Sequence, residues 1–208
     1  MIAIVDYGMG NVASVTTAFQ KLGYEIEITD SVERLKKASH IILPGVGSFK
    51  AAVEEIETRG LMQPLRELAK EKPFIGICLG MQLLFEKGYE NGLTEGLGLI
   101  PGTVERIETS FILPHIGWNQ LQIENQNEAF AKLQDKHVYF VHSYQATTQQ
   151  KYLVATTNYG ARVPAMVRDR NVFGIQFHPE KSGEVGVELL KIVMKLTEEY
   201  SPIRGMDA

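Results

Sequence analysis

Phe74-Ile75-Gly76-Ile77-Cys78-Leu79-Gly80-Met81-Gln82 is the stretch that decides the fold. Phe74 to Ile77 is an apolar run of strand length and strand composition. Leu79 to Phe85 reads as the start of an apolar helix. The cysteine, the only one in the chain, therefore stands where a strand turns sharply into a helix. Gly76 and Gly80 flank it, as in the G-x-S-x-G elbow with sulfur replacing oxygen. Glycine suits both places because a tight elbow crowds its neighbours. A helix N-terminus offers free N–H groups and the positive end of the dipole, which favour a thiolate and a nearby oxyanion. Taken alone, a cysteine behind a buried strand is equally a small core residue. The far end of the chain separates the two readings.

Working outward toward the N-terminus, Ile2 to Val5 reads as a buried strand and Asp6 to Asn11 as a loop. Val12 to Leu22 carries apolar residues at helical spacing and stops at Gly23. Glu25 to Thr29 alternates like a strand. Asp30 or Ser31 can cap a short helix ending near Lys37. His40 to Leu43 is a third strand, which Pro44-Gly45-Val46-Gly47 is expected to break. Ser48 opens a helix to about Thr58, and a second helical piece runs from Pro64 to Lys70. The resulting β-α-β-α-β-α-β-Cys-α order argues for a parallel sheet covered on both faces.

Downstream the pattern changes. Gly88 to Gly102 is glycine-rich and reads as loop. Short strands follow around Val104–Ile107, Trp118–Ile123, Val138–Val141, Leu153–Thr157, Ala165–Val167 and Val172–Gln176, with a more antiparallel character. A last helix is expected over Val185–Glu199, its stripe formed by Val187, Leu190, Val193, Met194 and Leu196. No repeat, low-complexity segment or linker interrupts the 208 residues, so one domain is expected. The fold class is α/β, with a mixed, mainly parallel central sheet.

A net charge of −4 gives no broad basic footprint for nucleic acid. One cysteine excludes an intrachain disulfide and fits a reducing compartment. The chain enters a strand at once, and no run approaches transmembrane length. No signal peptide, no membrane association and a cytoplasmic location are the expectations.

The second chemical signal is Gly174-Ile175-Gln176-Phe177-His178-Pro179-Glu180. It follows a strand, so it belongs at a sheet edge, where α/β sites form. Pro179 biases His178 toward extended backbone, in which residues two apart point the same way. His178 and Glu180 can then share a side, with the carboxylate orienting the imidazole. Alone, His-Pro-Glu is equally a surface turn. Together with the elbow it completes the nucleophile, base and orienter of a triad.

With these residues in view, the chain resembles the triad (class I) glutamine amidotransferases. Within them it is similar to the branch formed by the glutaminase subunits of imidazole glycerol phosphate synthases, in histidine biosynthesis. The resemblance covers nearly the whole chain. It is carried by Asp6-Tyr7-Gly8-Met9-Gly10-Asn11, Pro44 to Phe49, Gly76 to Gln82, His115-Ile116-Gly117-Trp118-Asn119, Val141-His142-Ser143-Tyr144 and Gln176 to Gly183. The tail from Ser201 to Ala208 matches nothing in that pattern.

The resemblance implies a three-layer sandwich fold. It implies Cys78 as nucleophile, His178 as acid and base, and Glu180 as orienter, acting on L-glutamine without a cofactor or metal. It implies an oxyanion site at Val46, Gly47 and Leu79, with a peptide of the Pro44–Gly47 loop reoriented by a partner subunit. Gly45, Gln82, Glu90, His142, Ser143 and Tyr144 would meet the substrate. Gln82 and Glu90 are equally readable as ordinary helix and loop polar residues. Asn11, Trp118, Tyr139 and Lys181 would lie near the subunit interface and ammonia path. The implied partner is a (β/α)-barrel cyclase subunit, forming a heterodimer.

The other histidines lack metal-ligand spacing, and His137 and His142, flanking a strand, read as structural. A competing signal is Gly8-Met9-Gly10-Asn11-Val12-Ala13, which fits G-x-G-x-x-G/A between a strand and a helix, with Asp30 about twenty residues on. Read in isolation it suggests an NAD(P)-binding Rossmann-type protein. That reading leaves the elbow and His-Pro-Glu without a role. An inactive regulatory homologue is a third class, against which the intact Cys78, His178 and Glu180 argue.

Overall fold

The computed structural model describes residues 1–124 and 127–198. The chain runs β1 (Ile2–Val5), α1 (Val12–Lys21), β2 (Ile26–Thr29), α2 (Val32–Lys37), β3 (His40–Gly45), α3 (Phe49–Thr58), α4 (Met62–Glu71), β4 (Phe74–Cys78) and α5 (Leu79–Gln82). It continues with β5 (Phe85–Gly88), β6 (Thr94–Glu95), β7 (Ile100–Arg106), β8 (His115–Gln120), β9 (Gln122–Ile123), β10 (His137–His142) and β11 (Tyr144–Thr147). β12 (Leu153–Asn158), β13 (Arg162–Asp169), β14 (Val172–Ile175) and α6 (Gly183–Glu198) close the described chain.

The main sheet has the order β2-β1-β3-β4-β14-β13-β12-β9. It is parallel from β2 through β14 and antiparallel beyond. Period-two alternation divides its side chains between two cores. On β1, Ala3 and Val5 face one side with Leu35 of α2, Val53 and Ile56 of α3, and Leu65 and Leu68 of α4. Ile2 and Ile4 face the other, with Val15 and Phe19 of α1 and Leu189 and Leu190 of α6. Each fully buried side chain of this size contributes roughly 1.5–3 kcal/mol of transfer free energy. The three layers and the mainly parallel sheet match the expected class.

Several boundaries differ from the sequence expectations. Pro44-Gly45 does not break β3, which pairs with β4 as far as Gly45 opposite Cys78. Proline keeps a strand-compatible φ, and the Pro44 carbonyl accepts from the Tyr7 hydroxyl at 2.9 Å. The helix after Cys78 does not reach Phe85. It ends at Gln82, and Phe85 opens β5, paired with β7 in a four-stranded sheet β11-β7-β5-β6. Leu83, Leu84 and Phe85 are all buried, so the run is apolar on every side and its periodicity cannot choose between helix and strand. That sheet also puts β6 and the start of β7 in the supposed Gly88–Gly102 loop. The run Trp118–Ile123 is two strands: β8 starts at His115 and pairs with β10, while β9 joins the main sheet. β11 is a strand the sequence reading passed over. Glu199, the expected end of the last helix, and the tail from Ser201 lie outside the described residues.

Candidate active site

Cys78 ends β4 and caps α5 with φ 57° and ψ −113°. This is sparsely populated backbone for a residue with a Cβ, and it is held because the surroundings leave no alternative. A Cβ on Gly76 would stand 2.4 Å from the Gly80 carbonyl oxygen, and one on Gly80 would stand 1.8 Å from that of Leu43. The flanking glycines are therefore demanded by backbone approach, as the crowding argument expects.

β14 runs parallel beside β4, with Ile175 opposite Ile77. The chain leaving β14 thus emerges next to the elbow. The His178 N–H donates to the Tyr139 carbonyl at 2.9 Å. The Ser182 hydroxyl donates to the His178 carbonyl at 2.7 Å and accepts from the Tyr139 N–H at 3.0 Å. Pinned in this way, His178 Nδ1 lies 2.7 Å from Glu180 Oε1, both side chains buried. Nε2 has no partner at hydrogen-bonding geometry among the described residues. Burial pushes the imidazole down, but Cys78 and Glu180 outweigh it and raise the group to about 9.

Cys78 and His178 line one cavity of about 330 Å³. Val46, Gly47, Leu79, Gln82, Glu90, His142, Ser143 and Tyr144 line it too. Gly45 does not; it lies behind them at the end of β3. The Glu90 carboxylate accepts from the Phe49 N–H at 2.7 Å. It thereby satisfies an orphan donor at the start of α3 and fixes the exit of the Val46–Gly47 loop. The Gln82 amide nitrogen donates to the Tyr144 carbonyl and to Gln176 Oε1, each at 3.0 Å. Gln82 and Glu90 thus line the cavity and also make the internal hydrogen bonds expected of ordinary helix and loop polar residues. His142, read from its strand as structural and from the resemblance as substrate-binding, lines the cavity and is hydrogen-bonded within the protein.

Sequence reasoning missed Pro114 and Val141, which line the cavity. It also missed Gln176, whose amide nitrogen lies 4.0 Å from Cys78 Sγ, and Tyr7, whose phenol is pushed up by burial and by Cys78. Tyr7 and Gln176 stood inside quoted motifs, but one polar group in an apolar strand does not announce where it points.

The residues expected at an interface lie outside the cavity. The Asn11 side chain caps α1, accepting from the Ser14 N–H at 3.4 Å. Trp118 is 54% exposed and meets Tyr139 edge-on, with ring centroids 6.0 Å apart. Lys181 is exposed. The dinucleotide pattern does not build a site: Asp30 is paired with Arg59 at 3.0 Å, and that guanidinium lies where a Gly8 Cβ would point. No described helix is long and apolar enough to cross a membrane.

A family model described as glutamine amidotransferase class-I matches residues 3–194. A protein of Exiguobacterium sibiricum named imidazole glycerol phosphate synthase subunit HisH is 51% identical over 191 residues, covering 92% of this chain and 93% of its own. One of the same name from Carboxydothermus hydrogenoformans is 48% identical over 193 residues, covering 92% and 97%. Among solved structures, a glutamine amidotransferase superposes with a TM-score of 0.76 at 20% identity, covering 95% of this chain and 98% of that one. PurLQS from Thermotoga maritima gives 0.71 at 24%, covering 93% and 97%. At such identities the two structural likenesses speak for the fold alone.

Proposed function

Because the chain belongs to the class-I glutamine amidotransferase family, it is a glutaminase, and we propose that Cys78, His178 and Glu180 are its triad. Its identity to the HisH proteins makes it the glutaminase subunit of an imidazole glycerol phosphate synthase. The NAD(P)-binding alternative has no support. The observation that carries the triad is the strained Cys78 elbow, sharing a cavity with a histidine that Glu180 holds at 2.7 Å.

In this mechanism Cys78 Sγ attacks the side-chain amide carbon of glutamine. Amide nitrogen leaves poorly until it is protonated, so His178 passes it the proton taken from the Cys78 thiol, and ammonia departs as the tetrahedral adduct collapses to a glutamyl thioester. His178 then takes a proton from the attacking water and returns it to the Cys78 sulfur as the thioester breaks down to glutamate. Developing negative charge on oxygen requires preorganised donors. The Leu79 N–H at the start of α5 is one, and an N–H of the Val46–Gly47 loop is the other. Gln82, Glu90, His142, Ser143 and Tyr144 form the walls around glutamine, with Gly45 supporting them from behind.

The chain acts as one glutamine amidotransferase domain in a heterodimer with a (β/α)-barrel cyclase subunit. The partner joins the ammonia to a phosphoribosyl-formimino carboxamide nucleotide, giving imidazole glycerol phosphate and aminoimidazole carboxamide ribotide. Asn11, Trp118, Tyr139 and Lys181 lie toward that subunit. The test is glutamate release from glutamine, with and without the cyclase subunit and its nucleotide ligand. Stimulation by both supports the reading. No glutamate under any condition refutes it.

A further inference from the structure

β8 and β10 place His115 directly opposite His142, and both are buried. The His115 ring is stacked between Phe140 and Tyr159, with centroids at 4.8 and 3.9 Å. Its Nδ1 lies 3.1 Å from His142 Nε2, and His142 Nδ1 lies 2.8 Å from the Tyr144 carbonyl oxygen. That oxygen also accepts from Gln82 Nε2, which donates in turn to Gln176 Oε1. Gln176 Nε2 reaches Cys78 Sγ. A continuous polar chain therefore runs from β8 through the cavity wall to the elbow.

The proton inventory gives this chain a direction. A carbonyl only accepts, so His142 Nδ1 carries the hydrogen. Burial pushes His142 down to about 4, so the ring is neutral near pH 7 and its Nε2 is an acceptor. His115 Nδ1 must then donate, or two lone pairs would face each other. The outer nitrogen of His115 meets the Asn119 amide at 2.8 Å. For Nε2 to accept there, the Asn119 amide turns its nitrogen inward, exchanging the 3.0 Å donation to the Asn158 carbonyl for one to His115. The titratable groups acting on the pair are the two rings themselves and His178, which faces His142.

We propose that His115 is a positioning residue of the glutamine pocket: it donates to His142, which holds the Tyr144 carbonyl that accepts from Gln82, the donor to Gln176. The proposal rests on the glutaminase reading and adds to it a residue outside the cavity.

Two variants separate positioning from packing. His115→Phe keeps a ring between Phe140 and Tyr159 but donates nothing. His115→Asn packs worse but keeps an amide donor near Nδ1. In the complex with the cyclase subunit, His115→Phe should raise KM for glutamine by about 10-fold, the size of one lost buried hydrogen bond, with a smaller change in kcat. His115→Asn should recover part of that loss. The reverse order, or an unchanged KM in His115→Phe, overturns the proposal.

Ring ¹⁵N shifts decide independently of activity. In the unsubstituted protein both histidines should read as protonated at Nδ1, and in His115→Phe the His142 Nε2 shift should move to that of an acceptor without a donor. His142 protonated at Nε2 in the unsubstituted protein, or identical His142 signals in both proteins, overturns the proposal. If the unsubstituted complex releases no glutamate, the glutaminase reading fails, and the nitrogen shifts still judge the positioning.

Discussion

His178 is buried between Cys78 and Glu180, and its raised value of about 9 states what those neighbours contribute to the charged ring. The folded value lies above the ordinary 6.5. This contribution to stability is therefore fully present below about pH 6.5 and is lost as pH rises through about 9, on the order of 3 kcal/mol at most. Glu180→Gln removes one stabilising partner and loosens the ring. It should lower the His178 value, measured by NMR titration, and cut kcat by about 100-fold or more. An unshifted histidine in this variant would show that Glu180 does not act on it. The proposed triad was legible in the sequence because its spacing carries chemistry: glycines bracket the sulfur, and a proline sets two polar residues two apart. Tyr7 and Gln176 were not, since their partners, Pro44 and Gln82, are distant in sequence and only the fold brings them together.

Among the elements, the segment joining β3 to α3 supplies one donor of the proposed oxyanion site. Gly47 sits at φ 111°, where a Cβ would be strained and would stand 2.8 Å from the Met9 methyl. The methionine tip can yield, so the backbone conformation decides. Gly47→Ala should then restrict the choice between two peptide orientations, one of which supplies the second oxyanion donor. Losing one such donor typically costs about 100- to 1000-fold in kcat. The expectation is that Gly47→Ala lowers partner-stimulated kcat far more than it changes KM for glutamine. An unchanged stimulation factor, with the complex intact, would make this loop a passive wall. The start of α3 was readable because a cap marks it: the Ser48 side chain accepts from the Ala51 N–H, whereas α4, uncapped by any side chain, starts at Met62 and not at Pro64. The end of α5 was not, because Leu83-Leu84-Phe85 has no polar position to set a period.

At the scale of the whole molecule, alternating β and α segments were enough to predict a parallel sheet between two helical layers. Strand order was not legible, because hydrophobic pattern reports burial and not which strand is the neighbour. The consequential pairing is β4 with β14, which joins residues about a hundred apart and brings His178 to Cys78. That juxtaposition supports the central claim that this chain makes ammonia at Cys78 and passes it to a separate synthase site. The most direct test is product formation by the complex carrying Cys78→Ser, supplied first with glutamine and then with ammonium salt at a pH that provides free NH₃. Serine keeps the shape of the elbow while replacing the thiol by a hydroxyl of much higher pKa. The prediction is no product from glutamine and product from ammonia at the rate of the unsubstituted complex. A complex dead with both nitrogen sources, or active with glutamine, would contradict it.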